Sequence, residues 1–192
     1  MIVLFTDFGL HGPYTGQVKA VLHQMAPGVP AIDLFADAPV GNPKASAYLL
    51  AVYATWFPVG TVFLCIVDPG VGGIRPAIVL EADSRWYVGP GNGLFELVQR
   101  RATKTRSWDI DLRPERLSAS FHGRDLFAPV AAMLARGQRP PGQPRERLRL
   151  RYAAMTAPAH ENQNVLPEMV GQLDDGEQRV RRHHDAQRYR GS

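Results

Sequence analysis

Residues Thr61–Val67 read Thr-Val-Phe-Leu-Cys-Ile-Val, apolar at every position after the first. Six apolar residues in a row cannot sit on a half-solvated sheet, where polar and apolar side chains alternate. They suit a central strand covered on both faces, as in parallel sheets flanked by helices. This segment limits the chain to layered architectures with helices on each side of a sheet.

The first 135 residues repeat strand and helix around it. Ile2–Thr6 is a short apolar run that reads as a buried strand. After the loop Asp7–Pro13, residues Tyr14, Val18, Val21, Leu22 and Met25 recur at helical spacing. Pro27, Gly28 and Pro30 stop that helix, and Ala31–Phe35 follows as a strand. Pro43 suits the first turn of a helix through Ala45–Trp56, which Phe57-Pro58 ends. Ala77–Ala82 and Trp86–Val88 are strands joined tightly at Asp83-Ser84. Gly93–Arg101 and Asp125–Arg136 read as helices, with Asp125 as the N-cap of the second. The rhythm predicts an α/β fold, a layered and largely parallel sheet flanked by helices. Sites in such folds lie beyond the carboxyl ends of strands, here the loops after Thr6 and Val67.

The character changes after Gly137. Arg139-Pro140-Pro141-Gly142-Gln143-Pro144 is a linker by composition. Residues 171–192 hold only Leu173, Val180, Ala186 and Tyr189 as apolar residues, too few to bury a face. The expected organisation is an α/β domain over 1–137, then a linker and a basic, poorly ordered tail over 138–192. A net charge of +4 raises the question of nucleic acid. The arginines concentrate in residues 136–151 and 179–190, and no aromatic residues alternate with them as stacking platforms, so the pattern argues against it. One cysteine, Cys65, excludes a disulfide framework and a cysteine-rich zinc site. No apolar run is long enough to span a bilayer, and Met1–Leu10 lacks a basic leader, so the expected setting is the cytoplasm without membrane attachment.

Four segments carry polar chemistry on loops and turns. Thr6-Asp7-Phe8-Gly9 and Asp68-Pro69-Gly70-Val71-Gly72-Gly73-Ile74-Arg75 are glycine-rich loops, but neither has the pattern of a phosphate-binding loop. Asp7 can take two hydroxyls of a ribose, or serve as an Asx-turn or helix cap. The glycines of the second loop let Arg75 double back on Asp68; the pair is either functional or a loop-stabilising ion pair. In Phe121-His122-Gly123-Arg124-Asp125, His122 precedes a helix, beside a glycine that permits close approach of a ligand. Asn92, in Pro90-Gly91-Asn92-Gly93, either supplies a turn conformation or points its amide at a ligand.

Together these segments resemble the S-adenosyl-L-methionine (SAM) hydroxide adenosyltransferases, or SAM hydrolases, relatives of the fluorinase and chlorinase enzymes. The likeness rests on Thr6-Asp7-Phe8-Gly9, Val67-Asp68-Pro69-Gly70-Val71-Gly72 with Arg75, Pro90-Gly91-Asn92-Gly93-Leu94 and Phe121–Asp125, across about residues 1–137. It implies hydrolysis of SAM to adenosine and L-methionine. The implied catalytic trio is Asp68, Arg75 and His122, with either Asp68 or His122 as the base; in the halogenases a halide site replaces it, and the first position is different, typically tyrosine in the fluorinase. It implies that Asp7 holds the ribose, with Phe8, Asn92 and Gly123 also in the substrate site. It implies no metal and no cofactor beyond the substrate, and a homotrimer if the family's assembly is retained. Gly12 and Ala36 stand where members commonly carry aspartate and histidine. Residues 138–192 do not resemble the family's second, β-rich domain, so the alternatives are a non-catalytic adenosine- or SAM-binding module or an inactive truncated remnant.

Overall fold

A computed structural model describes residues 1–115 and 117–145. In chain order the elements are β1 (Ile2–Thr6), α1 (Tyr14–Met25), β2 (Ala31–Phe35), α2 (Pro43–Tyr53), β3 (Val62–Ile66), β4 (Ala77–Ala82), β5 (Arg85–Pro90), α3 (Glu96–Arg101), β6 (Thr105–Ile110), α4 (Ala128–Ala135) and β7 (Gly142–Arg145). A 3₁₀ turn, Ala54–Trp56, continues α2, and a π-helical turn, Gly123–Phe127, leads into α4.

The strands form one sheet in the order β2-β1-β3-β5-β4-β6-β7. The α/β layering is as expected, and the sheet is mixed. The pairs β1–β2, β1–β3 and β3–β5 are parallel, while β4–β5, β4–β6 and β6–β7 are antiparallel. The antiparallel half begins at the β4–β5 hairpin, whose turn residues Asp83 and Ser84 have φ of +46° and +62°. Positive φ at both central residues suits the right-handed strand twist, and aspartate tolerates it. The Asp83 carboxylate also accepts the backbone N–H groups of Thr103 and Lys104, which fixes the entry to β6.

Burial follows the period-2 alternation of strands. Ile2 and Leu4 of β1, with Val62, Leu64 and Ile66 of β3, face a core shared with α1 and α4. Val3 and Phe5, with Phe63 and Cys65, face a second core that includes Leu50 of α2 and Val98 of α3. Two covered faces explain why both strands are buried throughout. The carboxyl ends of β1 and β3 therefore open together at one edge of the parallel half.

Strands β6 and β7 carry no clear strand signal in the sequence. β6 reads Thr-Arg-Ser-Trp-Asp-Ile, with exposed Thr105 and Arg106. β7 lies inside the stretch read as a linker, and its Pro144 pairs opposite Trp108 on the outermost strand. Proline is tolerated there because an edge strand leaves one row of N–H groups unpaired. Residues 146–192, the greater part of the expected tail, lie outside the described residues. No helix among the described residues is long and apolar enough to cross a membrane.

Candidate active site

Asp68 follows β3, and the backbone turns back at once, with Val71 N–H on the Asp68 carbonyl at 3.3 Å and Gly73 N–H on Gly70 at 3.0 Å. Gly72 has φ +76°, and a Cβ there would lie 2.8 Å from the Ala119 carbonyl oxygen, so the loop packs directly on the segment leading to His122. This fold-back returns Arg75 to Asp68. Its Nε donates to Asp68 Oδ2 at 2.9 Å and Oδ1 at 3.1 Å, and its Nη2 also donates to Oδ2. The same Nη2 lies 3.0 Å from His122 Nδ1. The Asp68 and Arg75 side chains are only 5% and 12% exposed, and the guanidinium rests over the Phe127 ring. A paired charge so little hydrated is held in one geometry.

The three residues thus form a chain, Asp68–Arg75–His122, with arginine in the middle. His122 is oriented by Arg75, with no direct hydrogen bond to Asp68. Arginine can only donate, so Nδ1 is the acceptor and the neutral ring carries its proton on Nε2. Burial and, after it, the Arg75 charge hold the His122 pKa below the ordinary histidine value; Asp68 and Asp125 pull the other way.

Asp68 lines a cleft of about 380 Å³ together with Asp7, Phe8, Tyr14, Phe121 and Gly123. That volume suits a small ligand. Asp7 Oδ2 accepts the Gly41 N–H at 2.9 Å, and among the described residues only that oxygen is engaged. Asp7 and Phe8 are thus brought to the cleft with Asp68. Gly123 lines it too, although the space its missing Cβ leaves is taken by Tyr14 Oη, Ile66 Cδ1 and Phe8 Cζ, at 2.7, 3.0 and 3.3 Å. Its smallness serves packing within the protein. Asn92 is not brought to the cleft lining. Its Nδ2 donates to the Val67 carbonyl at 2.8 Å and its Oδ1 accepts Leu94 N–H at 3.3 Å. The amide tethers the end of β3, just before Asp68, to the turn after β5.

Asp125 is not the cap of its helix, because winding begins at His122–Gly123. It lies in the first turn, where its carboxylate accepts Ser118 N–H at 3.0 Å and is bound by Arg124. That hydrogen bond from Arg124 holds its pKa below the usual carboxylate value, and a negative group in a first turn also suits the helix dipole. Tyr14, read from the sequence only as an apolar helix position, lines the cleft. The available signal was chemical, since a buried tyrosine hydroxyl ordinarily finds a partner.

A wider cleft of about 610 Å³ lies at the β4–β5 turn, lined by Glu81, Asp83, Lys104 and Arg106 among others. It sits by the start of β5, which runs parallel to β3, and so is remote from the strand ends that carry Asp7 and Asp68. Its Glu81 is already paired with Arg106. Among the described residues no three histidine, cysteine, aspartate or glutamate side chains converge as metal ligands do.

The SAM hydroxide adenosyltransferase N-terminal domain model matches residues 2–143. A protein of Thermus thermophilus named (R)-S-adenosyl-L-methionine hydrolase is 41% identical over 152 residues, which cover 73% of this chain and 59% of that one. An Actinopolyspora mzabensis fluorinase is more distant, 22% identical over 71% of this chain and 54% of its own length. The crystal structure of an uncharacterized conserved protein from Thermotoga maritima superposes with a TM-score of 0.71 at 36% identity, covering 73% of this chain and 55% of that one. The chain spans somewhat over half the length of the curated relatives it matches.

Proposed function

The chain belongs to the SAM hydroxide adenosyltransferase family, and from that membership we propose that it hydrolyses SAM to adenosine and L-methionine. The observation that carries the proposal is the half-buried Asp68–Arg75–His122 chain, with Asp68 opening into a cleft at the ends of β1 and β3. Water attacks C5′ of the adenosyl group in line with the departing sulfur. The C5′–O bond forms as the C5′–S bond breaks, the bonding pair goes to sulfur, and methionine leaves as a neutral thioether. No Lewis acid is needed for such a leaving group.

Water is a weak nucleophile and must lose a proton as it attacks. Asp68 is the acceptor, because it lines the cleft and its Oδ1 takes only the longer of the two Nε hydrogen bonds from Arg75. A carboxylate oxygen has lone pairs enough for a second donor. His122, with its proton on Nε2, acts as a donor toward the water or the nascent hydroxide. Arg75 keeps both partners in register and supplies positive charge where the oxygen becomes anionic. Asp7 takes the ribose hydroxyls through the oxygen that Gly41 leaves free. Phe8 and Gly123 border the same space.

A homotrimer in the cytoplasm belongs to the same proposal. Leu10, Val40 and Ile74, exposed on loops next to the cleft residues, support a covering partner surface.

Incubation of the full chain with SAM in H₂¹⁸O tests the reaction. The expected product is adenosine with ¹⁸O at the 5′ position, plus an equal amount of methionine. If SAM survives while adenosine still raises the melting temperature, the chain is a binding module and not a hydrolase.

A further inference from the structure

Tyr14, the first residue of α1, is not used by the chemistry above, yet its hydroxyl joins two parts of the site that lie 110 residues apart. Its oxygen accepts the backbone N–H of Arg124 at 3.2 Å. That N–H belongs to the first helical turn, whose donors have no partner further along the helix. It is shared with the Phe121 carbonyl at 3.1 Å. The ring of Tyr14 meets Phe8 edge-on at 4.4 Å between centroids and lies 5.3 Å from Phe121. The oxygen also occupies the space a Cβ on Gly123 would need, 2.7 Å away. The hydroxyl is therefore keyed into the backbone on the C-terminal side of His122, where the helix is wound as a π-turn. Such turns are costly and recur where a site requires a particular side-chain direction.

We infer that Tyr14 is a positioning residue, whose hydroxyl sets the turn that aims His122 Nδ1 at Arg75. Without that acceptor the first turn can rewind, and a shift of half an ångström breaks the 3.0 Å contact between Nδ1 and Nη2. The charged groups that act on His122 are Arg75, Asp68 and Asp125. A ring released from Arg75 and better hydrated loses both influences that lower its affinity for protons.

The test is Tyr14→Phe, which keeps the ring and removes the oxygen. The His122 resonance, assigned by its absence from His122→Gln, is titrated by NMR in the full chain. The expected result is an upward move toward the ordinary histidine value of about 6.5. The accompanying kinetic expectation is a kcat lower by about tenfold or more with little change in KM. A purely structural tyrosine would lower the melting temperature and leave the His122 titration where the unaltered protein has it; that result overturns the inference. Only the kinetic arm rests on the hydrolase reading. If the unaltered chain releases no adenosine, that reading fails, and the NMR titration still decides this one. Should Tyr14→Phe not fold, Gly123→Ala, which drives a methyl group against the hydroxyl, must move His122 in the same upward direction. An unmoved titration there overturns the inference equally.

Discussion

Arg75 engages both of the other chemical groups, and this central position could not be read from the sequence. Spacing shows that a glycine-rich loop can return an arginine to Asp68. It does not show that the guanidinium will reach past it to His122, because that distance depends on where a segment 47 residues away is packed. That these three side chains would meet was legible from their motifs; that arginine would stand between the other two was not. Two predictions belong at this scale. Asp68→Asn preserves shape but removes the proposed proton acceptor, so kcat for adenosine release should fall by about 10²–10⁴-fold with a smaller effect on KM. A variant that keeps more than about a tenth of the rate would remove Asp68 from that role. The second concerns pH. In the proposed role His122 is a neutral donor, which requires a pH above its folded pKa, and burial and Arg75 hold that pKa below the ordinary value. Activity should therefore persist as pH falls through about 6.5 and decline only below it. Stability follows the same sign. The unfolded chain binds this proton more readily, so the histidine's contribution is complete above the ordinary value and is lost as pH falls through the folded one. Rate and urea-denaturation measurements on the same pH series, against His122→Gln, check both.

At the scale of elements, the buried strands were legible because being apolar on both faces admits one solution. β1 and β3 stand where the pattern put them, to within a residue; β2 does too, although its Ile32 and Asp33 are exposed and its bounds were read from the flanking turn residues. β6 and β7 were not legible. They form the outer antiparallel part of the sheet, one face of β6 is partly solvated, and β7 is a Gly-Gln-Pro-Arg segment whose pairing is decided by β6. The π-turn was equally hidden, since its geometry is set by Tyr14 and Gly123 across the fold. Loop elements carry two further predictions. Gly72→Ala places a Cβ 2.8 Å from a backbone oxygen at φ +76°. It should cost about 1–3 kcal/mol in urea denaturation and depress activity further by displacing Arg75. Asn92→Ala removes the tether between Val67 and the Leu94 N–H. About 1–2 kcal/mol of lost stability is expected, with a rate loss because Asp68 follows Val67 directly. An Asn92→Ala protein with full stability and a raised KM alone would return Asn92 to ligand binding.

At the scale of the molecule, three exposed apolar side chains stand on the loops that carry site residues. Leu10 is 71% exposed, Val40 81% and Ile74 fully exposed. They stand on the loops that carry Asp7, Gly41 and Arg75, and Gly41 approaches Pro69 of the Asp68 loop, a Cβ there lying 3.9 Å from Pro69 Cβ. Isolated exposed apolar residues are ordinary, but three on the loops around a polar cleft form a surface that gains from being covered. Covering it would also exclude water other than the attacking molecule and strengthen every charge interaction around Asp68. The proposed homotrimer therefore makes a prediction that links assembly to rate. Specific activity should rise with protein concentration over the range in which sedimentation velocity shows monomer passing into trimer. Replacing Val40 and Ile74 together by serine should shift that transition to higher concentration, while the rate of whatever trimer forms stays near the original. A monomer whose specific activity is independent of concentration would mean that the cleft works uncovered, and the apolar rim would then need a different explanation.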